Sequence, residues 1–195
     1  MPVSRASDPL PSSVIASPSS RTQRVCTFTL WLAFVAMALP GIAQENAAPS
    51  LLVLNLELVD SSGEVTDQRE DHERRLAAVR QILTSELAAR EVYDVVDPAE
   101  IQPEIDATRA HQYLHACNGC EVRLAREVGA ERVLTGHVRK VSSLVMALWI
   151  DIRDAKSGRP VVRKVLDFRG DTDEAWQRAT LYLVNELEQL PRAAR

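Results

Sequence analysis

Three stretches between residues 131 and 170 alternate apolar and polar side chains, and no other feature constrains the fold as strongly. They read ERVLTGHVRKV, LVMALWIDIRD and PVVRKVLDFRG. In the second stretch Met146, Leu148, Ile150 and Ile152 share one face. A period of two is typical of strands that bury one side. Short polar turns separate the stretches, so the spacing predicts an antiparallel meander of three strands.

The segments before the meander predict two further strands and several helices. Residues 51–60 alternate like a strand, and four leucines are expected on one face: Leu52, Leu54, Leu56 and Leu58. Residues 69–91 repeat apolar side chains every three or four positions, as amphipathic helices do. Residues 93–96 form a short strand, and a helical stretch is expected over residues 104–116.

The element order predicts one domain. A last helix carries Trp176 and Leu183 on its apolar stripe, which gives the order β-α-β-α-α-β-β-β-α. This order indicates an α/β (α+β) fold, in which helices cover a mixed sheet of about five strands. The domain is expected over residues 51–190, with residues 44–50 as a linker and residues 191–195 as a tail.

The first 43 residues have the features of a secretory leader. Arg21 and Arg24 precede an apolar run over residues 26–43 that ends in small side chains. A positive flank, a short apolar core and a small-residue exit predict a signal peptide, here with a long amino-terminal region. Cleavage would leave a periplasmic protein without a stable membrane span. The alternative is that residues 26–43 remain as an inner-membrane anchor.

Charge and motifs exclude several classes of function. The formal net charge is −4, and no basic patch with interleaved aromatic residues suggests a nucleic-acid partner. The chain lacks the GxSxG elbow, the Walker loop, the dinucleotide GxGxxG and the HExxH motif. These patterns therefore predict neither an enzyme nor a bound cofactor.

The stretch HACNGC, residues 115–120, allows three kinds of site. Two cysteines three positions apart in an oxidising compartment are expected to pair, so Cys117 and Cys120 predict a disulfide. A CxxC motif beside a helix start also suits a thiol-disulfide redox centre. The third interpretation is a metal site of His111, His115, Cys117 and Cys120, which are ligand types that zinc takes.

Other polar and aromatic residues are candidates for contact with a partner. Asn55 and Glu57 lie on one face of the first predicted strand and suit a ligand cleft or a polar outer face. Asp171 and Asp173 are expected to cap a helix or to recognise a partner. The remaining candidates are Trp149 and Trp176, which would mark an interface if exposed. His137 is expected to be a sheet histidine with satisfied hydrogen bonds.

Several motifs resemble a bacterial family known only as a domain of unknown function. They are LELVDSSGE, HACNGCEVRLAREVGAERVLTGHVRKVSSLVM and FRGDTDEAWQRATLYLV. Members of that family tend to be encoded near quinoprotein (PQQ-dependent) alcohol dehydrogenases. The element order over residues 51–190 also resembles the amino-terminal domain of TolB and the CsgG-like domains of the cell envelope.

The resemblance implies a non-catalytic accessory or adaptor that contacts an envelope complex. A quinoprotein dehydrogenase system is one client that it implies. A second interpretation is a periplasmic protein that binds a small molecule, a cofactor or a metal ion. A third is a thiol-disulfide redox protein that acts through Cys117 and Cys120. The sequence leaves the oligomeric state open.

Overall fold

The computed structural model describes residues 47–195, so the predicted leader and its cleavage site lie outside the described residues. The strands are β1 (Ser50–Val53), β2 (Glu57–Asp60), β3 (Asp94–Val96), β4 (Arg132–Ser142), β5 (Val145–Asp154) and β6 (Pro160–Phe168). The helices are α1 (Arg69–Ala89), α2 (Gln102–Arg109), α3 (Cys120–Glu127) and α4 (Asp173–Glu188). Short 3-10 turns occur at Ala99–Ile101, Leu114–Ala116 and Arg192–Ala194.

All six strands belong to one mixed sheet, which confirms the predicted α+β class. The order is β3-β1-β4-β5-β6, and β2 pairs with β4 beyond the end of β1. The pairings of β1 with β3 and of β1 and β2 with β4 are parallel. β4, β5 and β6 form the predicted antiparallel meander.

The first predicted strand is interrupted, and this break changes which residues share a face. Val53 pairs with Leu134 of β4, and Glu57 pairs with His137 of β4. The first predicted strand therefore advances four residues where β4 advances three, so it contains one extra residue. An extra residue in a strand turns the following side chains to the opposite face. Leu54 therefore packs on one side of the sheet and Leu56 on the other. The prediction that Leu52, Leu54, Leu56 and Leu58 share a face is wrong.

Helices cover the two sides of the sheet unequally. α1 and α4 pack over the whole of one side, where Leu83 and Leu183 are fully buried against the strands. On the other side, α2 and α3 form a smaller core around β1 and the start of β4. Most of β5 and β6 remains uncovered there among the described residues. Between residues 47 and 195, no helix combines the length and the apolar character needed to cross a membrane.

Candidate functional site

The uncovered side of the meander carries a row of aromatic rings, here called the aromatic row: Tyr113, His115, His137 and Trp149. The ring centroids of Tyr113 and His115 are 5.5 Å apart, and those of His115 and His137 are 4.3 Å apart. The rings of His137 and Trp149 are stacked at 5.7 Å. In the sheet register, His137 lies opposite Trp149, and Trp149 lies opposite Val165. The row therefore crosses β4 and β5 and reaches β6.

Glu57 fixes the position of the row's second ring. Its buried carboxylate accepts hydrogen bonds from the backbone N–H groups of Leu114, at 2.8 Å, and His115, at 3.1 Å. It also binds Nδ1 of the His115 imidazole. Since β2 pairs with β4, Glu57 lies directly opposite His137. One carboxylate therefore holds the turn before the cysteines against the sheet.

The histidine in the middle of the row is held in its neutral form. Burial lowers the pKa of His137 to about 4, and the adjacent His115 acts in the same direction. Both effects disfavour a positive charge on the partly desolvated ring of His137. At neutral pH the His137 ring is therefore uncharged and packs between two other rings as an aromatic surface.

Exposed apolar side chains concentrate around this row. Trp149 is 40% exposed and Val165 is 50% exposed on the uncovered side of the strands. Of the eight large apolar side chains that are exposed within residues 47–195, six lie on this side or at the β4–β5 hairpin: Tyr113, Val141, Leu144, Val145, Trp149 and Val165. Such a concentration of exposed apolar side chains is a feature of interaction surfaces.

Charged groups border the row along β5 and β6. The Asp151 carboxylate forms ion pairs with Arg153, at 3.0 Å, and with Arg163, at 3.4 Å. Arg153 also lies 3.4 Å from the buried carboxylate of Glu121. Asp151, Arg153 and Arg163 line a cleft of about 300 Å³ together with three rings of the row, those of His115, His137 and Trp149. The uncovered side of β5 and β6, with the aromatic row and this charged border, is called the open face below.

The structure joins Cys117 and Cys120 in a disulfide just beyond the open face. Asn118 and Gly119 adopt positive φ values of 50° and 117°, which close the short ring. Glu121 accepts a hydrogen bond from the backbone N–H of Gly119 at 2.9 Å. Because α3 begins at Cys120, the ring connects the turn that carries His115 to the start of that helix.

The four predicted metal ligands do not come together. The expected helix over residues 104–116 ends at Arg109. The chain then turns, and the backbone N–H groups of Leu114 and His115 bind the Glu57 carboxylate. His111 consequently lies in an exposed turn rather than one helical turn before His115. Within the described residues, the one close group of three ligand types is Cys117, Cys120 and Glu121, and both sulfurs belong to the disulfide.

Asp171 and Trp176 lie inside the fold, away from the open face. The Asp171 carboxylate is 3% exposed and accepts hydrogen bonds from His72 at 2.7 Å, Lys140 at 2.9 Å and Arg75 at 2.8 Å. The indole N–H of Trp176 donates to the same carboxylate at 3.0 Å. These contacts connect α1, β4 and α4, so burial removes both residues from any docking surface.

The two remaining candidates also lie apart from the aromatic row. Asp173 is exposed, but its carboxylate binds Arg74 and Arg75 of α1, which connects the two helices on the covered side. Asn55 is half-buried at the break between β1 and β2, and its Oδ1 has no hydrogen-bond partner among the described residues. Of the predicted contact residues, Trp149 lies on the open face, and the buried Glu57 supports that face through His115.

Sequence reasoning missed Tyr113, His137 and Val165 as parts of one surface. Val165 and Trp149 occupy outward positions of neighbouring strands, where polar residues are usual in a half-buried sheet. Apolar residues at two such positions are the signal that would have identified the open face. Tyr113 carries no comparable signal, because its place depends on the turn that Glu57 holds.

Three solved structures illustrate the likeness of the fold to known proteins. The LpoB C-terminal domain from Salmonella enterica is 16% identical with a TM-score of 0.42, over 62% of this chain and 82% of that chain. The PelC dodecamer from Paraburkholderia phytofirmans is 14% identical with a TM-score of 0.47, over 74% and 91%. TolB from Acinetobacter baumannii is 11% identical with a TM-score of 0.40, over 71% and 28%. These likenesses concern the fold and lend no partner or activity.

The family of the chain follows from its sequence. Among curated proteins, no sequence matches the chain. The family model DUF3280, described as "Protein of unknown function (DUF2380)", matches residues 49–187. This match covers most of the chain and confirms the expected membership in a domain-of-unknown-function family. The chain belongs to the DUF3280 family.

Proposed function

We propose that this protein is a non-catalytic accessory module that docks another protein of the cell envelope on its open face. The observation that carries the proposal is the aromatic row, which continues to Val165 on an uncovered sheet. Protein interfaces use aromatic and arginine side chains at their centre and polar groups at their border. Trp149, Arg153 and Arg163 supply these groups around one cleft.

The rigidity of the row supports docking. Glu57 and the Cys117–Cys120 ring hold the turn that carries His115 from both ends. His137 and Trp149 lie on paired strands of the sheet. A surface that is ordered before binding loses less conformational entropy when the partner arrives. The fold therefore presents the aromatic side chains in a fixed arrangement.

The proposal includes the location of the protein and the class of its partner. The leader predicted over residues 1–43 supports a periplasmic protein. The family resemblance supports a partner from a quinoprotein dehydrogenase system. In this role the chain needs no catalytic residue of its own, because it acts through contact with its partner.

The cleft beside Trp149 favours a second candidate function, the binding of a small planar acid. An indole ring next to Arg153 and Arg163 suits an aromatic ligand that carries carboxylates. A thermal shift of the protein with pyrroloquinoline quinone tests this alternative. A rise in Tm that Trp149→Ala abolishes would support the small ligand, whereas docking of a protein predicts an unchanged Tm.

Site-specific photocrosslinking in cells tests the docking proposal. A photoreactive amino acid at Val165 on β6 is expected to capture one defined protein other than a second copy of this chain. The same group at Gln81, exposed on α1 at the covered side of the sheet, serves as the control and should not capture it. Equal capture at both positions, or none at Val165, would contradict the proposal.

A further inference from the structure

The last strand of the sheet has an exposed edge. β6 is nine residues long and, within residues 47–195, it pairs with β5 alone. The edge at the other end of the sheet, β3, has only three residues. A long edge strand presents unpaired backbone N–H and C=O groups that can pair with another strand. β6 is therefore the element of this fold best able to extend the sheet.

The side chains of β6 on the open face follow a self-complementary order. Arg163, Val165 and Asp167 are all exposed and point to the same side, because strand residues two apart share a face. In a two-fold antiparallel pair centred on Val165, Val165 meets Val165 of the second copy. Arg163 then meets Asp167 of the second copy, and the symmetry creates this ion pair twice.

Neighbouring registers bring like charges together. A pair centred on Lys164 places that lysine opposite itself, and a pair centred on Arg163 does the same with the arginine. A pair centred on Leu166 places Arg163 opposite Arg169 of the second copy. Like charges directly opposite each other destabilise strand pairing. Among these adjacent registers, only the one centred on Val165 joins opposite charges at both ends.

We infer that the protein forms a two-fold dimer in which β6 pairs antiparallel with β6 of a second copy, centred on Val165. The pairing joins the two sheets and brings the two open faces to one side. Trp149 already lies beside Val165 in the register of β5 and β6. The aromatic rows of the two copies then form one continuous surface. The dimer goes beyond the proposed docking function, since it requires no other protein.

Sedimentation velocity of the purified protein, produced from the full sequence given, tests the dimer directly. We expect the wild type to sediment as a dimer at high concentration. Arg163→Asp and Asp167→Arg are each expected to sediment as monomers, because each creates two like-charge pairs at the edge. The double variant R163D/D167R restores opposite charges and is expected to recover the dimer. Arg123→Asp makes the same change of charge at an exposed position of α3 and should leave the dimer intact.

Each other outcome overturns the inference. A wild type that stays monomeric at every concentration would overturn the dimer itself. Single variants that remain dimeric would place the interface elsewhere. A double variant that remains monomeric while its circular dichroism is native would exclude the register centred on Val165. Because only the purified protein is used, failure here leaves the docking of a client unaffected.

Discussion

The carboxylate of Glu57 binds both the backbone N–H and the ring of His115, 58 residues further along the chain. This contact connects β2 to the turn before α3 and sets the spacing of the aromatic row. A buried acceptor that satisfies several donors is costly to remove, because the donors remain without partners. Glu57 is therefore the residue on which the order of the open face depends most.

Replacement of Glu57 is expected to destabilise the turn that carries His115 in the aromatic row. Glu57→Ala leaves the N–H groups of Leu114 and His115 without their acceptor, and we expect the free energy of unfolding to fall by about 3 kcal/mol. Glu57→Gln retains one acceptor oxygen and should cost less. Urea denaturation measures both, with the exposed Glu104→Ala as the control. A Glu57→Ala loss no larger than that of the control would contradict the assigned role.

His137 predicts a loss of stability in mild acid. Its folded-state pKa of about 4 lies below the ordinary value of 6.5, so the unfolded chain binds a proton first as the pH falls. We expect the free energy of unfolding to drop between pH 6.5 and 4, by about 2 kcal/mol because solvent screening of the half-buried ring reduces the full effect. Denaturation at a series of pH values should show a weaker dependence in His137→Gln. The exposed His111→Gln should retain the wild-type dependence.

The buried carboxyl group of Asp171 predicts a second loss of stability at lower pH. Burial alone would raise the pKa of its carboxyl group, but hydrogen bonds from His72, Lys140 and Trp176 lower it to about 2. Ionised Asp171 contributes about 2 kcal/mol to the free energy of unfolding. This contribution is complete above the unfolded-state pKa near 4 and is lost as the pH falls toward 2. Asp171→Asn should remove this dependence. Persistence of the full acid dependence in Asp171→Asn would contradict the assignment.

The disulfide is expected to act as a structural staple. The double variant C117S/C120S should lower the free energy of unfolding by about 2 kcal/mol, since the ring is short, and should keep its far-ultraviolet circular dichroism. The oxidised wild type should not reduce insulin in the presence of a dithiol above the rate of the double variant. Faster reduction by the wild type would favour the redox interpretation.

Zinc titration distinguishes the remaining interpretation of HACNGC. In the oxidised protein, Cys117 and Cys120 are bonded to each other and cannot act as thiolate ligands. We therefore expect calorimetry to detect no zinc binding that depends on His111 or His115. Stoichiometric binding that His115→Gln abolishes would contradict this expectation and restore a metal site.

The meander and α1 could be predicted because their periods are regular over many residues. The break between β1 and β2 could not, because Leu54 and Leu56 are apolar and suit either face of the sheet. The end of α2 at Arg109 was equally hidden, since it depends on a carboxylate more than fifty residues earlier.

The open face was predicted only in part, for a related reason. Glu57, His115 and Trp149 were each recognised, but with separate roles, because their proximity comes from strand pairing. The parallel register of β2 with β4 and the antiparallel register of β4 with β5 bring them to one side of the sheet. Local sequence patterns do not specify such registers, so the assembled row required the structure.

The most direct test of the docking function compares two exposed aromatic residues on opposite sides of the sheet. Trp149 lies on the open face, and Tyr182 lies on α4 at the covered side. Quantitative affinity measurements with the partner captured at Val165 are expected to weaken about 30-fold in Trp149→Ala, as for a residue central to an interface. Tyr182→Ala is expected to bind as the wild type does. Equal affinities for Trp149→Ala and the wild type would contradict the open face as the docking surface.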